Sequence, residues 1–212
     1  GALVNNAGYS QSGAIETVAI DDVRRQFETN VFGLLRLTQL VLPGMRAQRR
    51  GRVVNVSSMG ANFTFPGGGV YHATKYALEA LSDALRFEVG GFGIDVVIIQ
   101  PGLIRTGFAD AARDALEGTG TEAAGGDGPY DAFNARVAEA TAEVYEKGPL
   151  AKLGGDPDTV ARAIEKAVTA RKPRIRYRVT PSAHLLIAQR RVMTAGMWDA
   201  FVRTQFDQPG KA

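Results

Sequence analysis

Two stretches of this chain, Arg52-Val53-Val54-Asn55-Val56 and Ile94-Asp95-Val96-Val97-Ile98-Ile99, are apolar at consecutive positions rather than at alternate ones. Successive side chains of a strand point to opposite faces, so a strand apolar on both has no face to give to water and belongs inside a covered sheet. The opening residues, Gly1-Ala2-Leu3-Val4-Asn5-Asn6-Ala7-Gly8, read as the end of a third short buried strand and a glycine turn. Long helical patterns fill the gaps. From Asp21, an expected N-cap, Val23, Phe27, Val31, Leu34, Leu35, Thr38 and Leu42 recur at helical spacing, and Pro43, Gly44 and Gly51 mark the end. A second helix is expected over about 70–89, with Leu78, Leu81 and Leu85 on one face and Gly90-Gly91 as its stop. Strand and helix alternating in this order predict an α/β fold, a parallel sheet with right-handed crossovers and helices on both faces.

The remainder continues the pattern less regularly. Residues 107–150 interrupt it with a glycine-rich segment and a helical stretch near Asp131 to Glu146, and a long insertion at that point reads as a lid over a site. Asp156-Pro157-Asp158 opens a helix to about Arg171, Arg174 to Val179 reads as an edge strand, and residues 181–206 form an amphipathic, helical tail. At 212 residues the chain is expected to be a single domain over 1–212. It has no cysteine and only two histidines, His72 and His184, which excludes disulfides, thiol nucleophiles and a multi-histidine metal centre, so no metal is expected. No apolar run is long enough to cross a bilayer and no signal peptide opens the chain, so a cytoplasmic protein is expected.

In open parallel sheets ligands bind beyond the carboxyl ends of the strands. Three unusual segments fall there: Asn5 to Gly8, Ser57-Ser58 and Pro101 to Thr106. Between the last two, Tyr71 and Lys75 stand four residues apart and share one helix face. A free phenol, with its pKa near 10, is a poor proton donor or acceptor at neutral pH. An ammonium within about 4–6 Å favours the phenolate and is expected to lower that value, making Tyr71 a general acid–base. Ser58 is placed to bond a substrate oxygen as charge develops on it, and Asn30 to orient a water linking Lys75 to solvent. Each piece alone has a plainer reading: a half-buried ring beside a solvated charge, turn chemistry at Ser57-Ser58, a solvent-facing Asn30, a simple Pro101-Gly102 turn. Their order and architecture together favour the site.

The stretches N-N-A-G at Asn5 to Gly8, N-V-F-G at Asn30 to Gly33, G-R-V-V-N-V-S-S at Gly51 to Ser58, Y-H-A-T-K at Tyr71 to Lys75 and P-G-L-I-R-T at Pro101 to Thr106 resemble the short-chain dehydrogenase/reductase family. The resemblance implies a Rossmann-type, doubly wound parallel sheet and NAD or NADP as cofactor. It also implies a catalytic tetrad of Asn30, Ser58, Tyr71 and Lys75, with Ser58 chosen over Ser57 because it stands thirteen residues before Tyr71. Lys75 and Tyr71 would meet the nicotinamide ribose, Asn5, Ala7 and Gly8 the adenosine side, and Pro101, Gly102, Ile104 and Thr106 the nicotinamide and pyrophosphate. The family's glycine-rich phosphate loop, which precedes N-N-A-G, has no counterpart among these residues. The expectation is therefore that the N-terminal half of the sheet is absent from this chain. Alone, these 212 residues are expected to expose a strand edge, aggregate and bind cofactor poorly, which a clean NAD(P)H titration of a soluble monomer would contradict.

Lys75 to Arg86 together with F-G-I-D-V at Phe92 to Val96 is similar to the branch of 17β-hydroxysteroid and retinol dehydrogenases, which implies a small hydrophobic alcohol or ketone as substrate. Phe108, Leu116, Tyr130, Phe133 and Tyr145 in the lid are compatible. A homodimer packed through helices follows by family analogy. The charge of the chain is uneven: residues 171–198 hold seven basic residues and no acid. Arg171 to Arg178 reads first as an edge strand with solvent-facing arginines that discourage edge pairing. A second reading is a non-catalytic, binding or peripheral membrane-associated module, anchored through Leu185, Leu186, Ile187, Val192, Met193, Met197, Trp198 and Phe201. Nucleic-acid binding is not expected, since no recognised motif accompanies the charges.

Overall fold

The computed structural model describes residues 1–106, 128–146 and 150–210. Among them four strands form one parallel sheet in the order β1-β2-β3-β4: β1 is Ala2–Asn5, β2 Gly51–Val56, β3 Ile94–Gln100 and β4 Arg176–Arg178. The absence of alternation has the consequence expected. Val53 and Val96 pack with Met45 and Val89 under α2 (Leu34–Ala47) and α3 (Gly69–Gly90). Their neighbours Val54 and Val97 pack on the opposite face with Ala167 of α5 (Pro157–Thr169). Adjacent residues thus face different layers, and the sheet is wound on both sides.

Strand β2 is tied to both layers by polar devices. Asn5 and Asn55 stand opposite each other in the register. Asn5 Nδ2 donates to Asn55 Oδ1 at 2.8 Å and to Thr38 Oγ1 of α2 at 3.2 Å, and Asn55 Nδ2 donates to Ser82 Oγ of α3 at 2.8 Å. On the other face, one guanidinium nitrogen of Arg52 donates to the carbonyls of Ala167, Val168 and Ala170, so a cation sits at the negative end of α5, and the other nitrogen pairs with Asp95.

Several boundaries differ from the sequence reading. The first helix, α1 (Ile20–Phe27), begins after Ala19, so Asp21 lies in its first turn beside Arg24 rather than capping it. Helical backbone continues through a π-turn at Glu28–Gly33 into α2, which carries Pro43 and ends only at Ala47. The tail is two helices, α6 (Pro181–Val192) and α7 (Ala195–Arg203), and its apolar side is core. Leu186, Ile187 and Trp198 are buried with Phe63 and Ala183, and Met193 and Phe201 pack against them, which removes five of the eight anchors from any membrane-facing surface. Leu185, Val192 and Met197 remain exposed. No helix among the described residues is long and apolar enough to cross a membrane. Arg176 does not face solvent freely: it pairs with Glu79 at 3.0 Å and Asp83 at 2.6 Å on α3, joining the edge strand to the helix that carries Tyr71. Among the described residues β1 is paired on one side only, and Val4 is exposed on it. Of the segment 107–150 read as a lid from the sequence, 107–127 and 147–149 lie outside the described residues, Phe108 and Leu116 among them; α4 (Asp131–Glu146) is described.

Candidate active site

Three loops leave the sheet at its carboxyl edge: Asn6 to Gly8 after β1, Ser57-Ser58 after β2 and Pro101-Gly102 after β3. The last two are joined, since Met59 N–H donates to Pro101 O at 2.7 Å. Ser58 is the N-cap of a single 3₁₀ turn, Met59–Ala61, its Oγ accepting from Gly60 N–H at 3.0 Å. This cap turns the chain toward α3, where Tyr71 occupies the first turn.

The phenol of Tyr71 is hydrogen-bonded to the Ser58 side chain. Lys75 lies one turn further along α3, buried, with Nζ 5.8 Å from the centre of the Tyr71 ring and donating to Val56 O at 3.0 Å. The strand that ends in the serine therefore also holds the lysine. Gly8 closes the group from the other side: a Cβ there would stand a tight 3.2 Å from Asn30 Oδ1 and an ordinary 3.5 Å from Lys75 Nζ. Asn30 is fully buried in the π-turn. Its side chain accepts from Tyr9 N–H and donates to Tyr9 O and to Thr74 Oγ1, bracing the β1 loop against α3. Asn30 and Val31, adjacent in the π-turn, are both buried there. Asn30, Ser58, Tyr71, Lys75 and Gly8 are thus brought together.

Burial sets the electrostatics. It holds the Tyr71 phenol above its ordinary value of 10; the Ser58 hydrogen bond opposes this, and the Tyr145 phenol adds to it. The lowering expected from Lys75 is not what the site shows: the lowering influence is the Ser58 hydrogen bond, and desolvation is the largest effect on both groups. Lys75 itself is pushed down to about 8 by burial, against the carboxylate of Glu79. This has a sign that can be checked. Between pH 8 and 10 the unfolded chain keeps the lysine protonated while the folded one releases the proton, so this group's contribution to stability rises with pH. Urea midpoints of wild type measured against Lys75→Met are expected to move in favour of wild type across that window; a constant difference would show that the ammonium is not held in a desolvated place.

The other candidates are placed differently. The Asn5 side chain belongs to the buried link between β1 and β2 and does not line a cleft, whereas Asn6, Ala7 and Gly8 are exposed at the sheet's mouth. Gly102 is packed against the start of α6, where a Cβ would meet Thr180 Oγ1, Ser182 Oγ and the Ala183 amide. The peptide therefore faces the tail. Ile104 bridges to Gly155, and Thr106 is exposed. Two residues gain a part that the sequence did not signal. His72 fastens the Ser58–Gly69 loop to α3: Phe65 N–H donates to Nε2 at 3.3 Å, which leaves Nδ1 to donate to Gly60 O at 2.7 Å, and burial keeps the ring neutral by lowering its pKa. Tyr145 places a second buried phenol near Tyr71, pushed up to about 12 by desolvation; only its aromatic character was legible.

A sheet wound on both faces, with a serine, tyrosine and lysine beyond its carboxyl edge, defines a class of oxidoreductases, and comparison with known proteins gives the family. The family model described as short chain dehydrogenase matches residues 1–117, and the chain belongs to that family. It is 36% identical over 187 residues to a 3-ketodihydrosphingosine reductase of Bacteroides thetaiotaomicron, covering 88% of this chain and 65% of that one. A solved short-chain dehydrogenase of Streptomyces avermitilis superposes with a TM-score of 0.64 at 34% identity, over 94% of this chain and 65% of that one. A serine dehydrogenase solved with NADP+ superposes with a TM-score of 0.67 at 27% identity, over 85% and 64%. The chain spans about two thirds of the length of these relatives.

Proposed function

We propose that this chain carries the proton-transfer side of a hydride-transfer site, acting with NAD or NADP on a hydrophobic alcohol or ketone. The observation that supports it is the Tyr71 phenol bonded to Ser58 with the Lys75 ammonium beside it, all at the mouth of the sheet. The residues present fit the cofactor: a hydroxyl-bearing ribose suits the neighbouring Tyr71 phenol and Lys75 ammonium, and Ala7 and Gly8 are open at the rim. Lys75 and Tyr71 would hold the nicotinamide ribose, Ala7 and Gly8 the adenosine side, and Pro101 the nicotinamide. When bound, the cofactor supplies or accepts the hydride.

The chain's own groups do the rest. In the reducing direction Tyr71 gives its proton to the substrate oxygen as negative charge builds there, while the Ser58 hydroxyl donates a hydrogen bond to the same oxygen. In the oxidising direction Tyr71 takes that proton. Lys75, still mostly cationic at neutral pH, offsets the charge left on the phenol oxygen. Asn30 is a positioning residue that holds the Gly8 loop and Thr74 in place. Exposed apolar side chains on the helices, among them Phe32, Leu37, Leu40 and Phe87, support a helix-packed homodimer, and the open edge at Val4 supports self-association of the 212 residues alone. No observation favours the non-catalytic reading. The test is Tyr71→Phe: lost turnover with retained NAD(P) binding supports the reading, and unchanged turnover overturns it.

A further inference from the structure

A cleft of about 740 Å³ opens between the loops after β1 and β2, the lid helix α4 and the tail. Ile15, Pro66, Phe133, Val202 and Phe206 supply its walls, and this volume lies in the range of small-molecule sites. Its charged residues are Glu16 on the loop after β1, which Tyr130 bonds, Asp199 and Arg203 on α7, and Asp207 beyond it, all of them exposed. Ile15 is 77% exposed, a large apolar side chain given to solvent that nothing in the fold requires. It also touches the helix that carries Tyr71. The Ile15 side chain rests against the backbone of Gly69, close enough that a Cβ there would stand 3.1 Å from it, and Tyr71 is two residues further on.

One element spans the distance. Helix α4 is fastened beside the cleft by Tyr130 bonding Glu16 and by Asn134 Oδ1 accepting from Ala14 N–H at 3.2 Å. Phe133 lines the cleft and Tyr145, twelve residues along the same helix, lies near the Tyr71 phenol, a separation of about 18 Å at about 1.5 Å per residue. A compact substrate held at Tyr71 would leave the cleft without an occupant, whereas an extended chain starting there runs into it.

We propose that this cleft seats the aliphatic chain of a long-chain ketone or secondary alcohol whose oxygen-bearing carbon lies at Tyr71. The proposal rests on the hydride-transfer reading and narrows its substrate to unbranched, lipid-like molecules. The chain is bound by removal of apolar surface from water at Ile15, Phe133, Val202 and Phe206, while the charged residues at the cleft keep their side chains in water. Substrate preference therefore rises with chain length.

The experiment uses the native polypeptide and methyl ketones from butanone to hexadecanone. The readout is the ratio of kcat/KM for hexadecanone to that for butanone, in wild type, Ile15→Asp and Phe133→Ala. Ile15 is exposed, so its replacement leaves folding intact, and the new carboxylate must be desolvated by any chain that enters. Ile15→Asp is expected to lower the ratio about tenfold, and Phe133→Ala to lower it in the same direction. A ratio unchanged in both variants overturns the cleft assignment and leaves the hydride-transfer reading standing. A second readout needs no turnover: the fluorescence of Trp198, the sole tryptophan, on the helix that walls the cleft, titrated with hexadecanone. If no ketone or alcohol is turned over but this titration saturates and is weakened by Ile15→Asp, the reaction is wrong and the cleft assignment holds. Absence of saturable binding overturns the cleft assignment.

Discussion

Tyr71→Phe in the native polypeptide is expected to lower kcat by about a hundredfold to ten-thousandfold, the usual worth of a positioned general acid–base, while the Kd for NAD(P)H rises by no more than about tenfold, the worth of one hydrogen bond to the ribose. The substitution removes one oxygen and keeps the ring, so the edge-on contact with His72 and the approach of Lys75 to the ring survive. What disappears is the hydroxyl that bonds Ser58 and exchanges the proton. A structural role for the tyrosine would show as a lower denaturation midpoint with turnover little changed; a chemical role shows as the reverse. The pH profile separates them further, because the limb belonging to the phenol should vanish from kcat in the variant. Turnover that persists unaltered would move proton exchange elsewhere, and Tyr145 is the phenol placed to take it.

Phe63→Ala is expected to cost about 3–5 kcal/mol, read as a fall in the urea midpoint. Phe63 is 1% exposed and is the centre of the cluster that binds the tail to the loop after β2. Its ring lies 5.3 Å from Phe65, 5.5 Å from Trp198 and 6.4 Å from His72. Removing it opens a cavity between two segments that otherwise meet mainly through aromatic contacts and the Trp198 N–H bond to Thr64 O. The tryptophan should therefore report the loss, shifting its emission to longer wavelength at lower urea than the helical signal falls. A single coincident transition with an unchanged midpoint would mean that the cluster does not hold the tail.

How far the sequence could be read depended on how local the determining physics was. Val53 and Val54 announced two covered faces because strand period is a property of the strand itself. Tyr71 and Lys75 were predictable as a pair because one helical turn relates them. The π-turn at Asn30 was not: apolar spacing on both sides of it fits an ordinary helix, and the extra residue is paid back only through bonds to Tyr9 and Thr74, far away in sequence. Arg176 looked solvent-facing because alternation cannot reveal that Glu79 and Asp83, from another element, would meet it. The tail misled for a similar reason. Its apolar stripe is real, but an apolar stripe does not say whether Phe63 or a lipid will cover it. Gly102 was read as ligand-facing from its motif, and only the packed start of α6 shows what lies against it.

The paired asparagines of β1 and β2 bear on where the reactive groups can be. Sliding one strand past the other by a single residue would turn every side chain to the wrong layer, and in a valine-rich sheet neighbouring alignments differ little in apolar contact. Asn5 and Asn55 remove that degeneracy, since only one alignment lets Asn5 donate to Asn55 and Thr38 while Asn55 donates to Ser82 in a dry interior. The lock sits at the last residue of β1, immediately before the backbone that reaches Lys75. An indexing error there would displace Gly8 by about 3 Å, and the ammonium and the amide chain would no longer meet.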